Sequence, residues 1–272
     1  MYKHFLITRF NLNYSKSNSL KPVSEEWISS RLAIFQRFCL PSILNQSNKN
    51  FTWFLYFDTN TPEKYKQVVA DLEASHLFIK AVYIENADML IPSLNKEIKE
   101  RLEVGTEYVI TTRMDNDDGL HKHAINTIQQ QFKNQSFAIV NLNNGLQIGI
   151  NGDKCRMSSF YYISNPFVSM IEKLEGNNPL KTILCKDHVL WIVENKEVMV
   201  NVDYKYLWLQ VIHSQNWLNQ FAGKPYRNVK ILGEFGINYS GLKYQLAAYI
   251  SDTITFHIKR IGRGVNKLTG KK

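Results

Sequence analysis

Arg113-Met114-Asp115-Asn116-Asp117-Asp118 sets one guanidinium and three carboxylates within six consecutive positions. Acids this close repel one another unless a cation neutralises them. Oxygen-rich clusters suit Mg²⁺ or Mn²⁺, and an ion of that type bridges a diphosphate that leaves during group transfer. The Asp115-x-Asp117 spacing therefore reads as a metal or sugar-nucleotide clamp; the alternative is a solvated Asp/Asn turn. Placement favours the clamp, because Tyr108-Val109-Ile110-Thr111-Thr112 just before it has the composition of a buried strand.

The elements that must position this cluster alternate in type. Phe5–Phe10 and the aromatic run Phe51–Phe57 read as strands. Between them, Trp27, Ile28, Leu32, Ile34, Phe35, Phe38 and Leu40 recur at helical spacing, with Ser24 as cap and Pro41 as break. Asn11 to Ser24 reads as loop. Helices are predicted over Glu63–Ser75 and Leu94–Leu102, with strands over Phe78–Ile84 and Glu107–Thr112. This alternation predicts an α/β three-layer sandwich, Rossmann-like, with a central mixed and mostly parallel sheet. In such sheets ligands bind beyond the carboxyl ends of the strands, where Asp58 and Asp115 to Asp118 fall. Further along, Ala138–Leu142 and Gly145–Ile150 read as strands joined by Asn143-Asn144, and Phe160–Ile163 as another, in an antiparallel half. Pro166–Leu174 and Asp187–Val193 read as helices, Tyr206–Ile212 as a late strand or loop, and Leu242–Ile261 as a final helix. A boundary near Gly236 is expected, giving a catalytic domain over residues 1–236 and a basic helical tail over 237–272.

On Phe5-Leu6-Ile7-Thr8-Arg9-Phe10, Arg31 through Ser47, Trp53 to Asp58 and Thr112 to Asp118, the chain resembles GT-A glycosyltransferases. Specifically, it is similar to the rhamnosyltransferase family of bacterial polysaccharide gene clusters. The resemblance implies a GT-A fold and transfer of a sugar from a nucleoside-diphosphate donor to a saccharide or lipid-linked saccharide hydroxyl. It implies that Asp58 reads the nucleotide base and that Arg9, Arg113 and Asp115 attend the ribose, sugar and diphosphate. Asp117, with Asp118, would hold Mn²⁺ or Mg²⁺, and His213 would be a late additional ligand. Asp187 lies where inverting GT-A enzymes place the general base for the acceptor hydroxyl. Asp is also a favoured helix cap, and the two roles are compatible; for Arg113 the alternative is a salt bridge to a neighbouring Asp.

Composition is that of a globular enzyme, with 44% hydrophobic and 21% charged residues among 272. Cys39, Cys155 and Cys185 form no CxxC pair, so neither a disulfide framework nor a zinc knuckle is indicated. No GxGxxG or GxxxxGK[ST] occurs, which removes the main support for nicotinamide and P-loop chemistry. The N-terminus lacks the apolar core of a signal peptide, and no run approaches a membrane span. Cytoplasmic residence is expected, at the inner membrane face if the tail binds there. The net charge of +9 implies an anionic partner. Lys259 to Lys272 holds six cations and no acid, so the tail reads as a peripheral anchor on anionic lipid or as a solubilising extension. Two other function classes compete. A metal-dependent phosphohydrolase or nucleotidyltransferase usually needs acids on more strands, and a nucleic-acid-binding module needs an aromatic-interleaved basic stripe that is not found.

Overall fold

The computed structural model describes residues 1–12, 24–176, 178–214 and 220–269. Most of the predicted Asn11 to Ser24 loop, Asn177 and Trp217 lie outside the described residues. In chain order the elements are β1 (Tyr2–Arg9), α1 (Glu25–Ile34), a π-helical turn (Phe35–Cys39), α2 (Leu40–Leu44), β2 (Thr52–Asp58), α3 (Glu63–Ser75), β3 (Ile79–Ile84), α4 (Leu90–Lys99), β4 (Tyr108–Arg113), β5 (Gly119–Leu120), α5 (Ala124–Gln129), β6 (Phe137–Leu142), β7 (Asn144–Asn151), β8 (Lys154–Tyr161), β9 (Val168–Lys173), α6 (His188–Glu194), β10 (Met199–Val202), β11 (Trp208–Ile212), β12 (Lys224–Pro225), β13 (Lys243–Tyr244) and α7 (Leu246–Thr269).

The main sheet has seven strands in the order β10-β6-β9-β4-β1-β2-β3. Only β9 runs antiparallel to its neighbours, β4 and β6; the other pairings are parallel. Side chains of β1 and β2 alternate between two apolar layers. Leu6, Trp53 and Leu55 pack with Phe35 and Ile43 of the first helical run and with Ile125 and Ile128 of α5. Phe5, Ile7, Phe54 and Tyr56 pack on the other side with Leu90, Leu94 and Ile98 of α4. Helices covering both faces explain why these strands read as unbroken apolar runs. The result is the mixed, mostly parallel three-layer α/β sandwich that the alternation predicted.

A second sheet, β12-β8-β7-β11-β5, lies beside the first, and β13 pairs with β8. It shares a core with Phe38 of the π turn and with Leu232, Phe235 and Ile237. Residues beyond Gly236 continue this body, since Ile237 is buried and Lys243–Tyr244 adds to β8.

Three readings need correction. Pro166–Leu174 is not a helix: Val168–Lys173 is the central antiparallel strand, buried from Val168 through Glu172. Its apolar residues at Val168 and Ile171 imitate a helical spacing, but partners on both sides make the extended form the one that satisfies its backbone. Pro41 does not break the first helix. Leu40 N–H bonds to Phe35 C=O, five residues back, and this wider turn gives room to a proline that has no N–H to offer. Finally, the strand read over Phe160–Ile163 is β8, which starts at Lys154 and ends at Tyr161; it is the partner of β7, while β6, joined to β7 through Asn143 as read, belongs to the other sheet.

Candidate active site

The Arg113–Asp118 segment is the passage from the first sheet to the second. It leaves the carboxyl end of β4, and Met114 N–H bonds to Ile7 C=O of β1. Met114 is buried, and the Asn116 amide donates to Phe10 C=O at 2.9 Å. The chain then enters β5, which pairs antiparallel with β11 through Leu120 and Trp208. Both sheets therefore fix the geometry of these six residues.

Each carboxylate has a distinct setting. Asp118 is 1% exposed, and its Oδ1 accepts from Val211 N–H of β11 at 2.9 Å. Burial, then the neighbouring Asp117 and Asp115, raise its carboxyl well above the usual range, which favours a proton there. Asp117 Oδ2 accepts from Arg31 of α1 at 2.6 Å and contacts His213 Nε2 at 3.0 Å. All three side chains are buried. Asp115 is the most open, with Arg113 at 3.3 Å and Arg9, from the end of β1, at 3.7 Å. Its partial burial raises the carboxyl, but Arg113 and Arg9, with His188 behind them, bring it below the ordinary range. The cluster is thus held by guanidinia and one strand N–H.

The structure brings most of the predicted residues together. Arg9, Arg113 and Asp115 form one contact group, and Asp117 and His213 another. His213 arrives because β11 is clamped by Asp118 at Val211, two residues earlier. Asp187 caps α6: its Oδ1 accepts from Val189 N–H at 2.8 Å, and its side chain is exposed. It is tied to the cluster through His188, whose Nδ1 lies 3.4 Å from Asp187 and 3.1 Å from Arg113. Burial and the Arg113 charge lower the pKa of His188, so its neutral ring accepts from Arg113. Asp58 ends β2 and is buried; its Oδ1 accepts from the Asn60 N–H and amide, and its own N–H donates to Asn11.

Two residues escaped sequence reasoning. Arg31 carries no role in the sequence reading, and only the fold reveals that it reaches Asp117. His188 was overshadowed by Asp187. Glu172 acts at one remove: buried in β9, it accepts from Lys181 and Thr182 N–H, at 2.9 and 3.0 Å, while Ile183 N–H donates to Thr111 of β4 at 2.9 Å. These bonds anchor the loop that delivers Asp187 and His188.

A divalent ion fits this donor set in a limited way. Among the described residues no three His, Cys, Asp or Glu side chains converge as a ready cage. An imidazole and a carboxylate do meet at Asp117 and His213, and hard divalent ions commonly take one or two protein ligands, completing their shell from substrate phosphate and water.

Residues 16–223, more than half of the chain, match a family described as "Putative rhamnosyl transferase". The chain belongs to this glycosyltransferase family. No curated protein matches the chain. Among solved structures it is similar to S. aureus TarS 1–349 in complex with UDP-GlcNAc, at 13% identity and a TM-score of 0.46, covering 79% of this chain and 60% of that one. It is also similar to a "putative nucleotide-diphospho-sugar transferase" from Desulfovibrio desulfuricans G20, at 8% identity and a TM-score of 0.35, covering 76% and 82% of the two chains. The chain thus spans 60% of the TarS fragment's length. Arg9, Arg113 and Asp115 meet where β1 and β4 of this family member end.

Proposed function

We propose that the chain transfers a sugar, rhamnose by the family's description, from a nucleoside-diphosphate donor to a saccharide hydroxyl with inversion. The observation that carries this reading is the pair of guanidinia, Arg9 and Arg113, converging on Asp115 at the carboxyl ends of adjacent parallel strands. Arg113 Nε is buried with no hydrogen-bond partner among the described residues, which suits a site built to receive an anion.

In this reading Asp58 contacts the base, Asp115 the ribose or sugar, and Arg9 and Arg113 the diphosphate. Asp187 accepts the acceptor hydroxyl proton; the freed oxygen bonds to the anomeric carbon as the bond to the diphosphate breaks and its electrons leave with the phosphate. The two guanidinia stabilise the charge that develops on the leaving group. Mn²⁺ or Mg²⁺ held by Asp117 and His213 would supply further positive charge there.

The test is calorimetric titration of UDP, dTDP and GDP into the full chain, with and without MnCl₂, repeated on Arg113→Met and Asp117→Asn. Binding of one nucleotide, weakened about tenfold to a hundredfold by Arg113→Met, is the expected result. Loss of the Mn²⁺ dependence in Asp117→Asn identifies the metal position. No binding of any of the three by folded protein overturns the reading.

A further inference from the structure

The C-terminal helix α7 presents two unlike faces. Asp252 and Phe256 line a cleft of about 630 Å³ against Ser159, Phe221 and Lys224, and Asp252 pairs with Arg156 of β8 at 3.2 Å. Roughly half a helical turn away, by the 3.6-residue period, four aliphatic side chains are open to solvent. Leu246 is 48% exposed, Ile250 53%, Ile254 56% and Ile258 64%. Spaced by four, they form one stripe about 18 Å long at 1.5 Å per residue. A stripe this contiguous is an unusual thing for a protein to leave in water.

Charge indicates what covers it. Along α7 the sequence carries Lys259, Arg260, Arg263 and Lys267 against the single acid Asp252, which Arg156 already pairs. Lys271 and Lys272 follow. An apolar stripe on a helix with this cationic excess has the composition of an interfacial helix, which sinks its apolar face into the acyl boundary while its cations attract acidic headgroups. Among the described residues no helix is long and apolar enough to cross a membrane, so the contact is peripheral.

We infer that α7 docks the protein on an anionic lipid surface, with Leu246, Ile250, Ile254 and Ile258 entering the interface. The inference does not depend on the sugar-transfer reading, since it uses none of the residues of the proposed site and is read without nucleotide. The experiment is co-sedimentation of the full chain with phosphatidylcholine vesicles and with vesicles in which phosphatidylglycerol replaces part of the phosphatidylcholine. It is repeated at rising NaCl and on the Ile250→Glu/Ile254→Glu variant. Preferential binding to the phosphatidylglycerol vesicles, weakened by salt and reduced roughly tenfold or more in the variant, is expected. Far-ultraviolet circular dichroism should be unchanged, because the substituted side chains are exposed. Equal sedimentation of parent and variant overturns the inference, as does equal affinity for the neutral vesicles. So does a concentration-dependent dimer in sedimentation velocity that the variant dissolves, which would assign the stripe to a second copy of the chain.

Discussion

Arg31 and Asp117 offer a quantitative test of how the cluster is held. Their contact is 2.6 Å long, and their side chains are only 10% and 9% exposed. Removing one partner of a buried pair leaves a charge with neither water nor counter-ion, which typically costs about 3–5 kcal/mol. Arg31→Met should fall at the lower end, because His213 remains 3.0 Å from the same Asp117 oxygen. Asp117→Asn should cost a similar amount, since it takes the counter-charge from Arg31 and leaves in place its longer contact to Asn116 at 3.4 Å and its position over the Trp27 ring. The double variant loses both charges together. Its cost should stay near about 3–4 kcal/mol instead of the roughly 6 kcal/mol of independent changes, a coupling of about 2–3 kcal/mol. Urea denaturation followed by tryptophan fluorescence and circular dichroism measures all four corners of the cycle. Additive single effects, or an Arg31→Met variant within about 0.5 kcal/mol of the parent, would show that the pair behaves as a surface ion pair and refute the reasoning.

Other outcomes follow from the same structure. Asp187→Asn should leave the thermal midpoint almost unmoved, since Asn caps a helix as well as Asp, while lowering sugar transfer by about a hundredfold or more; comparable losses of stability and activity would reduce Asp187 to a cap. Gly145→Ala places a Cβ 1.9 Å from the Trp208 ring. That ring stacks on Phe167 and donates to Leu142 C=O, so a loss of about 3 kcal/mol or more is expected. A normal melting curve would mean that Trp208 has somewhere to go. Burial lowers the His4 pKa to about 3 and, with a contribution from His123, that of His121 to about 4. The unfolded chain therefore takes up these protons first. Stability should be full above about pH 6.5 and fall on acidification towards pH 4, by about 1.4 kcal/mol per pH unit for each fully shifted group. A urea midpoint that does not change between pH 7 and pH 5 contradicts this.

The parallel half of the fold was legible because β1, β2 and β4 are covered on both faces and their sequences show it directly. Glu63–Ser75 matched to the residue, as its charged face and its buried Tyr65 and Val69 are separated at helical spacing. The Val168–Lys173 strand was illegible for a physical reason: its extended form depends on β4 and β6, which are distant in sequence, and six residues cannot signal which partners await them. The site divides in the same way. Asp115, Asp117 and Asp118 announce themselves by density. His213 and Asp187 entered through family resemblance, and Arg31 entered only through the fold, since a buried arginine on an amphipathic helix has no local pattern that separates it from a core-facing position.

The passage of the cluster between two sheets also bears on how this protein is made. Arg9 and Arg31 leave the ribosome early, yet β4 cannot gain its second neighbour until Lys173 has been synthesised, and the Asp118 carboxyl finds its backbone donor only when Val211 appears. Throughout that interval three acids and three arginines, Arg9, Arg31 and Arg113, wait on a half-built scaffold, their mutual geometry unset. Nascent chains that stop short of His213 therefore lack the assembled cluster, and on the proposed reading a truncation ending before β11 loses nucleotide binding outright rather than retaining a weakened share of it.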